Sequence, residues 1–147
     1  MPADVTTTTT PSPTDLFAFG RDALSRQPFS TMLNARLDAF TPGLAELSVP
    51  VVPGLLQQHG FVHGGVLSYL ADNALTFAGG SVLGDSVTAE FKINYLRPAK
   101  DAERLLAVAT VVGSGKTQAV CRCDIFVLRG AERTLCAAAQ GTIRKAG

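Results

Sequence analysis

A single carboxylate, Asp72, interrupts a long apolar stretch of the chain. Between Glu46 and Asp85 it is the only formal charge, histidines aside. An ionised carboxylate is costly to bury without a partner, so we expect it to face a cleft, a second chain or hydrogen-bond donors. A carboxylate in such surroundings is a candidate for a functional group. The alternative is a solvated residue on an amphipathic helix, which the apolar flanks disfavour.

The residues around Asp72 predict a long helix that is buried on most sides. Apolar residues recur at helical spacing at Leu67, Leu70, Ala71, Ala74 and Ala78. The apolar surface is widened by Val66, Leu75 and Phe77. The remaining positions lie three or four residues apart and share one face, namely Gly65, Ser68, Asp72 and Thr76. The carboxylate therefore belongs to a narrow polar seam.

Length and composition indicate one globular domain. The chain has 147 residues, of which 46% are hydrophobic and 17% charged, and its net charge is +1. This balance gives no reason to expect a nucleic-acid or membrane partner. Residues 1–91 are net acidic and residues 92–147 net basic, so the second half could attract a phosphate-bearing ligand. Scattered, solvated lysines and arginines explain the same asymmetry equally well.

The cysteines and the N-terminus point to the cytoplasm. Three cysteines, Cys121, Cys123 and Cys136, suggest free thiols in a reducing compartment. Cys121 and Cys123 lie two apart in an apolar run and are interpreted as small core residues of one strand face. No signal peptide is visible. The apolar run at residues 61–84 contains Asp72 and several glycines, so it is a poor membrane span.

In chain order, the pattern predicts an α+β domain at residues 14–147 after a disordered Thr/Pro-rich tail at residues 1–13. A helix from Leu16 to Arg26, capped by Thr14 or Asp15, should precede a hairpin of strands 29–40 and 44–51 joined by Pro42-Gly43. Four further strands are predicted at 87–96, 103–112, 117–128 and 134–144. In series they form an antiparallel meander, with the central helix covering one face of the curved sheet.

Two apparent motifs are not accepted. The segment Gly113-Ser-Gly-Lys-Thr117 resembles the end of a phosphate-binding loop, but it lacks the first glycine and the following helix. It is interpreted as a hairpin turn. His59 and His63 lie four apart without an acidic ligand, so no metal site is expected.

The order Gln57, Gly60, His63-Gly64-Gly65 and Asp72, followed by SVTAEFKINYLRPAK, resembles the hotdog-fold acyl-CoA thioesterases of the phenylacetate-degradation type. The resemblance covers about residues 30–145, and its motifs are specific only jointly. It implies a hotdog fold, in which a curved antiparallel sheet wraps around one long helix. It also implies hydrolysis of acyl-CoA thioesters without a further cofactor, because coenzyme A is part of the substrate.

The resemblance implies roles at matching positions. Asp72 would be the nucleophile, or the base that activates a water. The backbone N–H of Gly65 would polarise the thioester carbonyl, as the unpaired N–H groups and positive end of a helix allow. Gln57, where many relatives have asparagine, would orient the carbonyl or the water, and Thr88 would hold the water near the acid. His63 is expected to be a capping residue rather than a general base.

Substrate contacts and partners are also expected. The substrate-binding candidates are Gly64, Phe61, Asn73 and Thr76, with Arg97, Lys100, Lys116 and Arg144 for the phosphates of coenzyme A. Phe61, Leu75 and Phe77 as pocket-lining residues favour a medium-chain or aromatic acyl group. The resemblance implies a homodimer, with a dimer of dimers as a further option, whose active site is shared between chains. A non-hydrolytic acyl-CoA binder and a hotdog dehydratase are the alternatives.

Overall fold

The computed structural model describes residues 12–147. Most of the predicted tail, residues 1–13, lies outside the described residues. Its last two residues belong to the first helix, because the Ser12 hydroxyl accepts a hydrogen bond of 3.2 Å from the N–H of Asp15 and Pro13 is the first helical residue. The sequence predicted Thr14 or Asp15 as the N-cap of this helix. The structure shows that the N-cap is Ser12.

Residues 12–147 contain three α-helices, α1 (Pro13–Ser25), α2 (Pro28–Met32) and α3 (Gly64–Leu83), and a short 3-10 turn at Pro53–Leu55. The predicted strand at residues 29–40 is wrong in its first part, which helix α2 occupies. The strand itself begins only at Arg36. Pro28 is the first residue of α2, a position where proline costs the helix nothing. Within residues 12–147, no helix is both long enough and apolar enough to cross a membrane.

In the described part of the chain, six antiparallel strands form one sheet: β1 (Arg36–Thr41), β2 (Leu44–Pro50), β3 (Ser86–Tyr95), β4 (Arg104–Ser114), β5 (Gln118–Arg129) and β6 (Glu132–Lys145). Their order is β1-β2-β4-β5-β6-β3. The predicted meander is therefore wrong for β3, which pairs with β6 at the far edge and not with β4. The loop after Tyr95 crosses to the other half of the sheet, a connection that strand periodicity does not encode.

Helix α3 packs across the concave face of the curved sheet and contacts β2 to β6. Its residues Leu70, Ala71, Ala74, Leu75 and Ala78 have no exposed surface. Gly79 allows the closest approach, because a Cβ there would lie 2.7 Å from the side chain of Ile143 on β6. Sequence and structure agree on a hotdog fold, in which the sheet wraps around one long helix.

The two local predictions on β4 and β5 are confirmed. Residues 115–117 join the two strands, and the N–H of Gly115 donates to the carbonyl of Gln118 at 2.8 Å, so the glycine-rich segment is a hairpin turn. Cys121 and Cys123 are fully buried, as is Cys136 on β6, and all three are free. Burial raises the pKa of the Cys121 and Cys136 thiols to about 11. The pKa of Cys123 is raised to about 12, by burial and by the nearby Asp124.

Candidate active site

The half-buried Asp72 is held by a hydroxyl from the neighbouring strand. The Oγ1 of Thr88 on β3 donates to Oδ1 of Asp72 at 2.5 Å. The Oγ1 of Thr76, one helical turn after Asp72, lies 2.7 Å from Oγ1 of Thr88 and donates to the backbone carbonyl of Asp72 at 2.8 Å. Because the Thr88 proton points to the carboxylate, the single Thr76 proton serves either this carbonyl or Oγ1 of Thr88. The arrangement fixes the carboxylate of the predicted polar seam at the edge where α3 meets β3.

The first two backbone N–H groups of α3 differ in whether they are hydrogen-bonded. The Nδ1 of His63 accepts a hydrogen bond of 2.9 Å from the N–H of Gly65, so His63 is the capping residue that the sequence predicted. The N–H of Gly64 has no acceptor among residues 12–147. The carbonyl of Gly64 accepts a hydrogen bond of 3.0 Å from the hydroxyl of Tyr95. One unpaired donor therefore remains at the positive end of the helix.

Gln57 lies in the loop before α3. Its N–H donates to the carbonyl of Phe61 at 2.8 Å, and its side-chain oxygen accepts from the N–H of His59. This loop forms one wall of a cavity of about 370 Å³, which Gln57 shares with Phe61, Gly64, Tyr95 and Arg97. The cavity is therefore lined by Gln57, the predicted carbonyl-orienting residue, by Gly64 and by the cationic Arg97.

The predicted catalytic residues are not brought together within one chain. Gln57 and Gly64 line the cavity just described, whereas His63 and Gly65 line a second cavity of about 320 Å³. Asp72 lines a third, of about 520 Å³, together with the predicted site residues Asn73, Thr76 and Thr88. Gly65 and Asp72 are seven residues apart, which is about 10 Å along a helix.

The predicted phosphate contacts separate into two groups at opposite ends of β3. Arg97 and Lys100 follow its last residue, Tyr95. Arg144 pairs with Val87 near the first residue of β3, and Lys116 lies in the β4–β5 turn beside this end. All four side chains are exposed, and only Arg97 lines one of the three cavities described above.

Sequence reasoning missed a partly buried polar cluster beside Asp72, formed by Gln27, Ser30, Tyr69 and Asn73. Gln27 caps α2 and Ser30 lies within this helix. Because the α2 segment was interpreted as part of a strand, no sequence pattern indicated its contact with α3. Leu75 and Phe77, predicted to line the pocket, are 0% and 9% exposed and belong to the core. Within the described chain, no three His, Cys, Asp or Glu side chains form a metal-binding group.

Comparison with known proteins identifies the family of this chain. Residues 59–133 match the family model described as the thioesterase superfamily. The chain is 37% identical, over 74% of its length and 72% of the relative, to a protein of Deinococcus radiodurans provisionally named an esterase. It is similar to the crystal structure of a thioesterase family protein from Silicibacter pomeroyi, with a TM-score of 0.81 at 37% identity over 86% of this chain and 96% of that one.

A further similar structure is that of PaaI from the phenylacetic acid degradation operon of E. coli. The TM-score is 0.78 at 25% identity, over 88% of this chain and 94% of that one. The matched family segment contains His63, Gly64, Gly65, Asp72 and Thr88. The chain therefore belongs to the thioesterase superfamily and is a thioester hydrolase of the hotdog fold.

Proposed function

We propose that this protein hydrolyses acyl-CoA thioesters to a free acid and coenzyme A. The observation that supports it best is the carboxylate of Asp72, which accepts a 2.5 Å hydrogen bond from Thr88 and lines a cavity of about 520 Å³. Such a carboxylate can act in two ways. It can take a proton from water as the water attacks the thioester carbon, or it can attack that carbon itself. In the first route, the C–S bond breaks and the proton taken from water passes to the leaving thiolate. In the second, the C–S bond breaks to leave a mixed anhydride on Asp72, the thiolate takes a proton from solvent, and water then hydrolyses the anhydride to the free acid and restores the carboxylate.

The thioester carbonyl needs a hydrogen-bond donor as its oxygen gains charge. The sequence assigned this role to the N–H of Gly65, but that group already donates to Nδ1 of His63. The N–H of Gly64 has no acceptor among the described residues, and Gly64 lines the same cavity as Gln57. We therefore propose that the N–H of Gly64 donates a hydrogen bond to the thioester carbonyl and that Gln57 orients this carbonyl. Gly65 takes part if the His63 ring turns away.

The active site is proposed to be shared by two chains of a homodimer. Within one chain, Asp72 and the start of α3 are about 10 Å apart, which is too far for both to touch one thioester carbon. A two-fold axis would place each acid opposite the other chain's helix start and give two sites. Association of two such dimers into a tetramer is compatible with this arrangement.

The edges of the sheet support β3 as the dimer contact. Strand β1 is the protected edge, since it has only 6 residues and helix α1 packs against it. Strand β3 has 10 residues, and two large apolar side chains at its ends, Val87 and Tyr95, are 45% and 55% exposed. A long open edge of this kind favours pairing with another strand.

Antiparallel pairing of two β3 strands would also explain the separated basic groups. The last residue of one β3 would lie beside the first residue of the other. Arg97 and Lys100 of one chain would then approach Lys116 and Arg144 of the partner subunit. We propose these side chains as contacts for the phosphates of coenzyme A, because arginine and lysine bind phosphate by charge-assisted hydrogen bonds. The three free thiols favour a reducing, cytoplasmic compartment.

Release of free thiol from a panel of short, medium, long and aromatic acyl-CoAs tests the function. A thiol-reactive dye suits this assay, because the protein's three cysteines are buried. We expect turnover with at least one medium-chain or aromatic substrate. Binding of every acyl-CoA without thiol release would favour a non-hydrolytic binder. Conversion of a 3-hydroxyacyl thioester to its enoyl form with the thioester intact would favour a dehydratase.

A further inference from the structure

The ring of Phe29 lies where two of the three cavities meet. Of the described residues, Phe29 alone lines both the cavity that contains Asp72 and the one that contains His63 and Gly65. Its side chain is 55% exposed although it is large and apolar. The ring meets that of Tyr69 on α3 edge to face, with centroids 5.2 Å apart. Phe29 therefore forms a wall between the two cavities.

The cavity beside His63 is suited to an apolar group. Its volume is about 320 Å³, near the lower end for small-molecule sites. Its lining is Phe29, Leu33, Gly54, Leu55, Leu56, His63, Gly65 and Val66, which includes no acidic, lysine or arginine side chain. The apolar Leu56 at its rim is 40% exposed. Because this cavity lies next to the start of α3, it would receive the acyl chain that is attached to the thioester carbonyl.

Helix α2 is anchored, so that Phe29 has a fixed place. Ser30 is 1% exposed, and its hydroxyl donates to Oε1 of Gln27 at 2.6 Å and accepts from the Tyr69 hydroxyl at 2.5 Å. The amide of Asn73, the residue after Asp72, donates to Oε1 of Gln27 at 3.0 Å. A buried polar cluster is tolerated only when its members are paired, and this one joins α2 to the helix that carries the acid.

We infer that Phe29 is the residue that limits the length of the acyl group, and this inference rests on the proposed function. The acyl group occupies the cavity beside His63 and ends against the Phe29 ring, which favours medium-chain or aromatic groups over long chains. Phe29→Ala would remove the wall and join the cavities of about 320 and 520 Å³. Long chains would then gain room, while the other apolar walls stay in place.

The test measures binding of non-hydrolysable S-alkyl-CoA thioethers of graded alkyl length by calorimetry. In Phe29→Ala, the affinity for long chains relative to medium chains should rise by at least about tenfold, since a single methylene in a fitted pocket is discriminated about 10–200-fold. Met32→Ala is the matched control. Met32 lies on the same helix, is 67% exposed and lines neither cavity, so its length profile should equal that of wild type.

Phe29→Trp provides the opposite change, and should shift the preference towards shorter chains. It also decides the matter if Phe29→Ala does not fold. An unchanged length profile in the folded Phe29 variants, or the same shift in Met32→Ala, overturns the inference. The binding measurement is independent of turnover. If the length profile shifts but no acyl-CoA releases thiol, the proposed hydrolysis is wrong and the assignment of Phe29 stands.

Discussion

The hydroxyl of Thr88 donates to the carboxylate of Asp72 at 2.5 Å, across the line where the central helix meets an edge strand. A hydrogen bond to a charged acceptor is stronger than one between neutral groups. Thr88 therefore holds the carboxylate of Asp72 in one orientation. Because β3 is the open edge of the sheet, the pair lies where a second chain would bring its own helix start.

Asp72→Asn should abolish most of the catalytic activity and leave the fold intact. Asparagine keeps the size of the side chain and can still accept the Thr88 hydrogen bond, but it is neither a base nor a nucleophile. We expect kcat for the best acyl-CoA to fall by about 10²–10⁴-fold, with an unchanged melting temperature within a few degrees. Asp85→Asn, an exposed carboxylate just before β3, is the control and should retain wild-type kcat. Near-normal kcat in Asp72→Asn would disprove the assignment.

Thr88→Val tests the hydroxyl separately from the acid. Valine has nearly the shape of threonine, so the change removes one hydrogen bond to a charged group, worth about 1.5–3 kcal/mol. If that bond is needed in the transition state, kcat should fall by about tenfold to a hundredfold with little change in KM. Thr88→Ser restores a hydroxyl and should recover most of the rate. A loss shared equally by both variants would indicate a packing role for Thr88 and no role for its hydroxyl.

The sequence predicted the elements better than their pairing. Alternation over residues 87–96 is a local property, so strand β3 was found, but its partner β6 follows from a crossing loop that leaves no periodic signal. Phe29 to Phe40 alternates like a strand, yet Pro28 starts a helix there. Asp72 was found because it is an isolated charge. The residues around it that come from α2, Ser30 among them, could not be found because they meet α3 only through tertiary packing.

Gly64→Pro separates the two candidate donors at the helix start. Proline has no N–H and is favoured at the first helical position, and His63 before it has the extended backbone that a following proline requires, with φ −57° and ψ 133°. The variant should fold. If the Gly64 N–H polarises the carbonyl, kcat should fall by about 10²–10³-fold.

Gly64→Ala is the matched control, since alanine keeps the N–H. Its Cβ would lie 3.3 Å from the exposed ring of Tyr95, which can move. It should retain most of the activity that Gly64→Pro loses. Full activity in Gly64→Pro would return the role to Gly65, whose N–H would first have to leave Nδ1 of His63.

The buried thiols predict a loss of stability at alkaline pH. The pKa of each cysteine is raised by burial from the ordinary 9.0, to about 11 for Cys121 and about 12 for Cys123. Above pH 9 the unfolded chain loses these protons while the folded chain keeps them, so the free energy of unfolding falls as the pH rises towards 11–12. Below pH 9 the contribution is constant.

Cys123→Ala checks the source of this alkaline slope, because lysine and tyrosine titrations are the same in both proteins. Denaturant unfolding between pH 8 and 12 should show a smaller decline in the variant than in wild type. Equal slopes would show that Cys123 titrates normally in the folded protein. Thiol-reactive dye should label the native protein slowly and the unfolded protein at all three cysteines.

The shared active site is tested by mixing two inactive chains. Asp72→Ala and Gln57→Ala should each be nearly inactive alone. After co-refolding, half of the randomly paired dimers are mixed, and each mixed dimer has one intact and one doubly damaged site. About a quarter of wild-type activity should therefore return, by the symmetry of a two-fold interface. Native mass spectrometry gives the fraction of mixed dimers.

A second mixture makes the test quantitative. Wild-type chains are co-refolded with an equal amount of a chain that carries both Asp72→Ala and Gln57→Ala. If the two residues serve one site from different chains, every site of a mixed dimer is damaged, and about a quarter of the activity of an all-wild-type sample remains. If both residues act within the same chain, half remains, and the first mixture stays inactive. The shared-site model predicts equal activity in the two mixtures, about a quarter each, whereas the same-chain model predicts none in the first and half in the second. The shared-site model is therefore rejected when the second mixture exceeds the first by this margin.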